Sequence, residues 1–360
     1  MKTTLTKLGF VLCGALLAAS SCLQAEDGKE TLSLASPIAC EVFQRDKGDQ
    51  VVVLIAGTLS NQADVIEAKA DLAPGAKRGT STEWVAIAAR NQIVQGRFSG
   101  RLRLRAGGWY HVTVRARLGG KAIAEQTVEK VGVGEVFVTA GQSNSANFGN
   151  PQQEAKDDRV VYFDGKAYTH AKDPIPGGCG GGGSPWALLG DRIAASQQVP
   201  VCFRSASLTW TEVRSWLPPD TELYKNLLAC VKTFGKHGVR AVLWHQGESD
   251  TLVNTSADTY CDRIKIIVDT LNQDAGYAIP WFVAQATFHP GSNAGQQEQV
   301  AKGQRLLWEK KICHQGPITD DLLGTEYRHD GVHFNQKGLT THAQRWFDAV
   351  RRSFSWKPQG

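Results

Sequence analysis

The chain has 360 residues, 42% of them hydrophobic and 21% charged, with a net charge of +5. That length and apolar content can bury a large core and favour two domains over one, which excludes a disordered chain. The small positive charge demands no nucleic-acid partner, because Arg101, Arg103 and Arg105 alternate as on the wet face of a strand and do not form a phosphate-binding patch.

Residues 1–25 differ in kind from the rest. Lys2 and Lys7 precede an apolar, acid-free run from Leu8 to Ala19 that ends in small residues, the pattern of a secretory signal peptide. Leu23-Gln24-Ala25 offers a cleavage site before Glu26, and losing Lys2 and Lys7 lowers the charge from +5 to +3. Ala19-Ser20-Ser21-Cys22 makes a poor lipoprotein signal, since no leucine stands three residues before Cys22. The apolar run is shorter than the ~20 residues that span a bilayer, so a secreted or periplasmic protein without a membrane partner is expected. Cys40, Cys179, Cys202, Cys230, Cys261 and Cys313 remain after cleavage, and an oxidising compartment would allow them to pair, in combinations that the spacing leaves open. With no CxxC pair and no HxH cluster, neither a metal nor another cofactor is expected.

Between Ile38 and Lys130 the pattern is one of short strands broken by turn residues, which predicts a small antiparallel β-sandwich domain over residues 26–130. Trp109 to Arg117 shows it best. Tyr110, Val112, Val114 and Ala116 point one way, while His111, Thr113, Arg115 and Arg117 point the other.

After Val131 strands and helices alternate, which predicts an α/β domain over residues 131–360 with a parallel sheet covered on both faces. Glu135 to Ala140, Val199 to Ser205, Arg240 to Trp244 and Pro280 to Ala286 read as buried strands. Trp186 to Gln197, Glu222 to Lys236, Ala257 to Asn272 and Gln336 to Phe354 read as helices, the last with Leu339, Ala343, Trp346, Val350 and Phe354 on one stripe. Such sheets bind ligands beyond the carboxyl ends of their strands.

Three polar segments fall there or close to the last helix. Gly141-Gln142-Ser143-Asn144-Ser145 follows a strand, and a serine on a strand-to-helix turn lifts its hydroxyl above the sheet, beside N–H groups that can bind an oxyanion. A helix N-cap is the plainer role for the same serine. In Trp244-His245-Gln246-Gly247-Glu248-Ser249-Asp250 a glutamine amide could donate to developing negative charge, or the segment could simply cap the next helix. In His329-Asp330-Gly331-Val332-His333 the aspartate and histidine, three apart across a glycine turn, can face each other as base and orienting carboxylate.

Gly-Gln-Ser-Asn, His-Gln-Gly-Glu-Ser and Asp-Gly-Val-His-Phe, in that order, resemble the first, third and fifth blocks of the sialate O-acetylesterase branch of the SGNH hydrolases, related to the acetylxylan esterases of carbohydrate esterase family six. The resemblance runs from Gly108-Trp109-Tyr110 and Val131-Gly132-Val133-Gly134-Glu135 to the final helix. It implies a flavodoxin-like three-layer α/β/α fold and a serine esterase that takes O-acetyl groups from an acetylated sugar or polysaccharide. By the same resemblance Ser143 is the nucleophile, His333 the base and Asp330 its orienting acid, with Ser143, Thr209 and Gln246 forming the oxyanion hole. Asn144, Trp186, Trp210 and Glu248 are the candidates for substrate contact. One block departs from the family pattern Gly-x-Gly-x-Thr-Ser-Val-x-x-Trp: here Ser207-Leu208-Thr209-Trp210-Thr211-Glu212-Val213-Arg214-Ser215-Trp216 places Thr209 where a glycine is expected. A threonine keeps the N–H but disfavours positive φ, so the departure bears on the angle of that donor. The glycine run Gly180 to Gly183 reads as a mobile connector, or as a lid with Trp186 stacked on a sugar. Other short acyl esters, or sugar binding without catalysis, are the alternative functions.

Overall fold

The computed structural model describes residues 31–356, and the expected signal segment lies outside the described residues. Seven strands come first: β1 (Leu32–Ser36), β2 (Val42–Gln44), β3 (Gln50–Leu59), β4 (Val65–Leu72), β5 (Val85–Ala89), β6 (Arg97–Arg105) and β7 (Tyr110–Leu118). A 21-residue strand, β8 (Lys121–Gly141), follows them. β1, β3 and β6 make one antiparallel sheet, while β5, β4, β7 and the first half of β8 make a second. The alternation expected along β7 is present: Tyr110, Val112, Val114 and Ala116 are fully buried and join Val53, Ile55 and Ile66 in the core of this part.

β8 is continuous through the expected domain boundary at Lys130 and Val131. Its first half pairs antiparallel with β7, and its second half pairs parallel with β11 (Val201–Ser205) and β12 (Ala241–His245). Both halves read as strand from sequence, but only the apolar-rich run from Val131, interrupted by Glu135 and Thr139, marks the half that is buried throughout and covered on both faces. At the crossing, a Cβ on Gly134 would lie 1.9 Å from the Pro200 carbonyl oxygen, so this approach requires glycine. Next to it the fully buried Glu135 accepts from Arg45 Nε at 2.7 Å and from Arg240 Nε at 2.5 Å. Two guanidinium partners give this buried carboxylate the pairing it requires.

The remaining strands are β9 (Val160–Phe163), β10 (Tyr168–His170), β13 (Trp281–Gln285) and β14 (His314–Ile318), and the sheet order is β10-β9-β11-β8-β12-β13-β14. The helices are α1 (Trp186–Gln197), α2 (Glu222–Thr233), α3 (Glu248–Leu252), α4 (Ala257–Ala275), α5 (Ala294–Glu309), α6 (Gly324–Tyr327) and α7 (Gln336–Ser353). Residues of α1 and α7 pack on one face of the sheet and those of α2, α4 and α5 on the other, giving three layers. After β8 the chain builds β9 and β11 on one side and then returns to β12 on the other. This reversal is a topological switch point, and its crevice opens at the carboxyl ends of β8 and β12. All six cysteines of the described residues are free thiols. No helix among the described residues is long and apolar enough to cross a membrane.

Candidate active site

Ser143 lies two residues beyond the end of β8, at the switch point. Gly141 ends the strand with φ +129, and a Cβ there would meet the His245 carbonyl oxygen at 2.0 Å, so glycine lets the first and third motifs touch. The turn that follows is a single 3-10 turn, Ser143–Ser145, and not the start of a long helix as expected. Whatever the turn offers an oxyanion therefore comes from its own N–H groups rather than from a helix dipole. The Ser143 N–H has no acceptor among the described residues, and the residue is 4% exposed.

The loop of the fifth motif is shaped by its aspartate. Asp330 Oδ1 accepts from the backbone N–H of Val332 at 2.9 Å and of His333 at 2.7 Å, while Gly331 takes the left-handed conformation at φ +85. That turn brings Asp330 Oδ2 within 2.6 Å of His333 Nδ1. Burial pushes the Asp330 carboxyl up, but the backbone and side-chain hydrogen bonds from His333 and the N–H of Val332 outweigh it and bring the pKa down to about 2. The carboxylate is thus charged wherever the imidazole can act as a base. The ring of Phe148 packs against His333 with centroids 5.1 Å apart.

The three motif loops are joined by hydrogen bonds. Asn144 Nδ2 donates to Glu248 Oε1 at 3.1 Å and to the Val332 carbonyl at 3.4 Å, so one side chain links the serine turn to both other motifs. Gln142 Oε1 accepts from Gln246 Nε2 at 3.3 Å and from the Ser249 N–H at 3.2 Å. Burial raises the Glu248 carboxyl, yet the neighbouring His245 and the Asn144 amide prevail and hold it below the ordinary value. Asn144 and Glu248, expected to contact substrate, are 4% and 2% exposed and brace the site from below.

Two further expectations are corrected. Trp186 is fully buried, with its indole N–H on the Ser145 carbonyl at 2.8 Å, so it supports the serine turn and is out of reach of a sugar. The glycine run before it is tied down: Gly182 donates to the Asn147 carbonyl at 2.7 Å and Gly183 to the Gly149 carbonyl at 2.6 Å. A Cβ on Gly180, Gly182 or Gly183 would come within 2.5, 2.3 or 2.1 Å of a backbone oxygen, so close packing requires glycine at these three, while Gly181 has open space.

The oxyanion donors also differ from expectation. Gln246 is fully buried, and its amide N–H groups go to Asp250 Oδ2 at 2.6 Å and the Thr211 carbonyl at 2.9 Å, so it presents no spare donor. The Thr209 N–H points at Cys179 Sγ, 3.0 Å away, an acceptor weak enough for an oxyanion to displace. The left-handed residue of this block is Trp210, at φ +57, and not Thr209. Gln246→Ala is accordingly expected to cost about 1–3 kcal/mol of stability, because Asp250 loses a buried donor. A urea titration reads this. Parent-like stability with a turnover number lowered about a hundredfold would return the amide to the oxyanion hole.

Arg328 is a residue that motif reading missed. Its guanidinium is buried, donates to the carbonyls of Leu322 and Val332, and lies between the rings of Phe288 and Phe334, fixing the base of the Asp330 loop. His329, Asp330 and His333 bring ligand atoms within 4.8 Å of one another, the metal-compatible group among the described residues. His329 Nε2 is engaged with the Phe148 carbonyl at 3.0 Å and Asp330 with His333, so each of these ligands has a protein partner. A cleft of about 980 Å³, lined by Arg45, Arg240, Tyr277 and Trp356, opens at the amino-terminal edge of the sheet, away from Ser143.

The family of carbohydrate esterases described as sialic acid-specific acetylesterases matches residues 133–352. A carbohydrate acetylesterase from Xanthomonas citri is similar in structure at TM-score 0.56 and 20% identity, over 90% of this chain and 74% of that one. An Arabidopsis thaliana protein aligns at TM-score 0.49 and 17% identity, over 61% of this chain and 97% of its own. No curated protein matches the sequence at a significant level.

Proposed function

The chain belongs to the carbohydrate esterase family of sialic acid-specific acetylesterases, and from that premise we propose that it removes O-acetyl groups from carbohydrate with Ser143 as nucleophile. It is a hydrolase that acts on esters. The observation that carries the reading is the Asp330 carboxylate 2.6 Å from His333 Nδ1, on a loop that Asn144 ties to the turn bearing Ser143.

In the proposed reaction His333 Nε2 takes the proton of Ser143 Oγ as that oxygen attacks the acetyl carbonyl carbon. Asp330 holds Nδ1–H and stabilises the imidazolium that forms. The carbonyl electron pair moves onto oxygen, where the N–H of Ser143 receives it, joined by the N–H of Thr209 once that leaves Cys179 Sγ. When the tetrahedral species collapses, the C–O bond to the sugar breaks and His333 hands its proton to the departing alkoxide. Water then repeats the sequence on the acetyl-serine and releases acetate. Every proton is held by a residue of this chain.

An acyl-length series on one alcohol, together with a panel of acetylated glycans, tests the reading. Acetate esters are expected to give the highest kcat/KM, at least about tenfold above octanoate esters, since each extra methylene needs an apolar wall to be of use. A preference for long chains would make the protein a lipase or thioesterase instead.

A further inference from the structure

The turn that departs from the family pattern carries an aromatic side chain at its apex. Trp210 is 68% exposed, whereas Trp186, Trp216 and Trp244 are fully buried. Its backbone is left-handed at φ +57, a conformation costly for a bulky residue and kept only where the surroundings impose it. The surroundings do so here. Leu208 N–H donates to the Gly141 carbonyl at 2.9 Å, the Thr211 carbonyl accepts from Gln246, and Val213 N–H donates to Asp250 Oδ2 at 2.7 Å. Both sides of the turn are thus pinned to the first and third motifs while the indole stands out in solvent.

One neighbour shares that space. The ring of His289, on the loop after β13, meets the indole edge-on with centroids 5.8 Å apart. His289 Nδ1 accepts the Gly291 N–H at 3.0 Å, so the proton of the neutral ring sits on Nε2, which has no partner among the described residues. Burial lowers its pKa, while the nearby Glu248 carboxylate raises it and His333 lowers it again. Asp320 Oδ1 fixes the stem of this loop by accepting from Thr287 and Phe288.

We propose that Trp210 and His289 form the subsite for the sugar ring, the indole covering the apolar C–H face of a pyranoside while His289 Nε2–H donates to one of its hydroxyl oxygens. This subsite rests on the esterase reading for its purpose but not for its test. An exposed, rigidly held aromatic beside a free donor offers what a flat ring with one apolar face and a polar rim can use. The role belongs to the alcohol side of the ester, so it governs which acetylated alcohol is held and leaves the acyl chemistry alone.

The test measures binding without turnover. Calorimetry of a mono-O-acetylated methyl pyranoside is run on Ser143→Ala and on Ser143→Ala with Trp210→Gly, a change that relieves the left-handed backbone and so spares folding. The glycine variant is expected to bind about tenfold more weakly, with Trp210→Phe recovering most of the affinity and His289→Ala losing severalfold. Equal affinity with and without the indole, or no binding by either protein, overturns the subsite. Acetate release by the parent chain is scored separately: if it fails while the binding difference stands, the catalytic reading falls and the subsite remains.

Discussion

Ser143→Ala is expected to lower kcat for acetate release by on the order of 10⁵-fold, the scale on which serine hydrolases lose activity when the nucleophile is removed. KM should change little, because the hydroxyl is spent on the transition state. Ser143 is nearly buried at the end of a fixed strand, and its side chain is not among those that cap or bridge the turn; Ser145 Oγ does that work, bonded to the Ala140 carbonyl and to Ser207. The alanine variant should therefore fold as the parent does, and unchanged denaturation midpoints would show that the loss is chemical. A variant that released acetate at the parent rate would remove Ser143 from the reaction.

Asp330→Asn is the second large effect, expected at about 10³-fold in kcat. The amide oxygen can still accept from the N–H groups of Val332 and His333, so the turn survives, but the amide cannot stabilise an imidazolium at Nδ1 as a carboxylate does. The comparison of Asn with Ala at this position separates the two functions, since only Ala also frees the loop. The pH dependence follows from the same contacts. Folding lowers the Asp330 pKa from its ordinary value of 3.8 to about 2, so the contribution of the pair to stability is complete above the ordinary value and is lost as pH falls through about 2. The carboxyl is partly exposed, so solvent screens much of that contribution. Well above pH 2 the carboxylate stays charged in the folded enzyme, so a decline in kcat on acidification there belongs to groups other than Asp330.

Much of this arrangement was legible because two of the motifs that must meet at a sheet edge follow strands and the third precedes the last helix. Gln142-Ser143, Gln246-Gly247 and Asp330-Gly331 lie where alternation of strands and helices sets the ends of β8, β12 and the start of α7. Period-two burial in β7 and the apolar stripe of α7 were equally plain. Helix α5 was not, since Ala294–Glu309 is rich in glutamine and buries few apolar side chains; its readable signal was the capping box of Asn293 and Gln296. The tryptophans could not be sorted from sequence. Trp186 opens a helix that faces the sheet and Trp210 crowns a turn, a difference that resides in backbone direction and not in residue type. His289 and Arg328 carry no motif at all; their roles come from loops that the fold brings to His333. The same is true of Gln246, whose amide looks like a free donor until Asp250 and Thr211 are placed beside it.

The most direct measurement is mass spectrometry of protein quenched during turnover of an acetylated sugar. An acetyl group is expected on the peptide that contains Ser143 in the parent, enriched in a His333→Ala variant acylated with an activated acetate, because deacylation lacks its base, and absent from Ser143→Ala. Turnover with no acetylated peptide at any quench time, or an acetyl group on a different residue, would contradict the role of Ser143 as nucleophile.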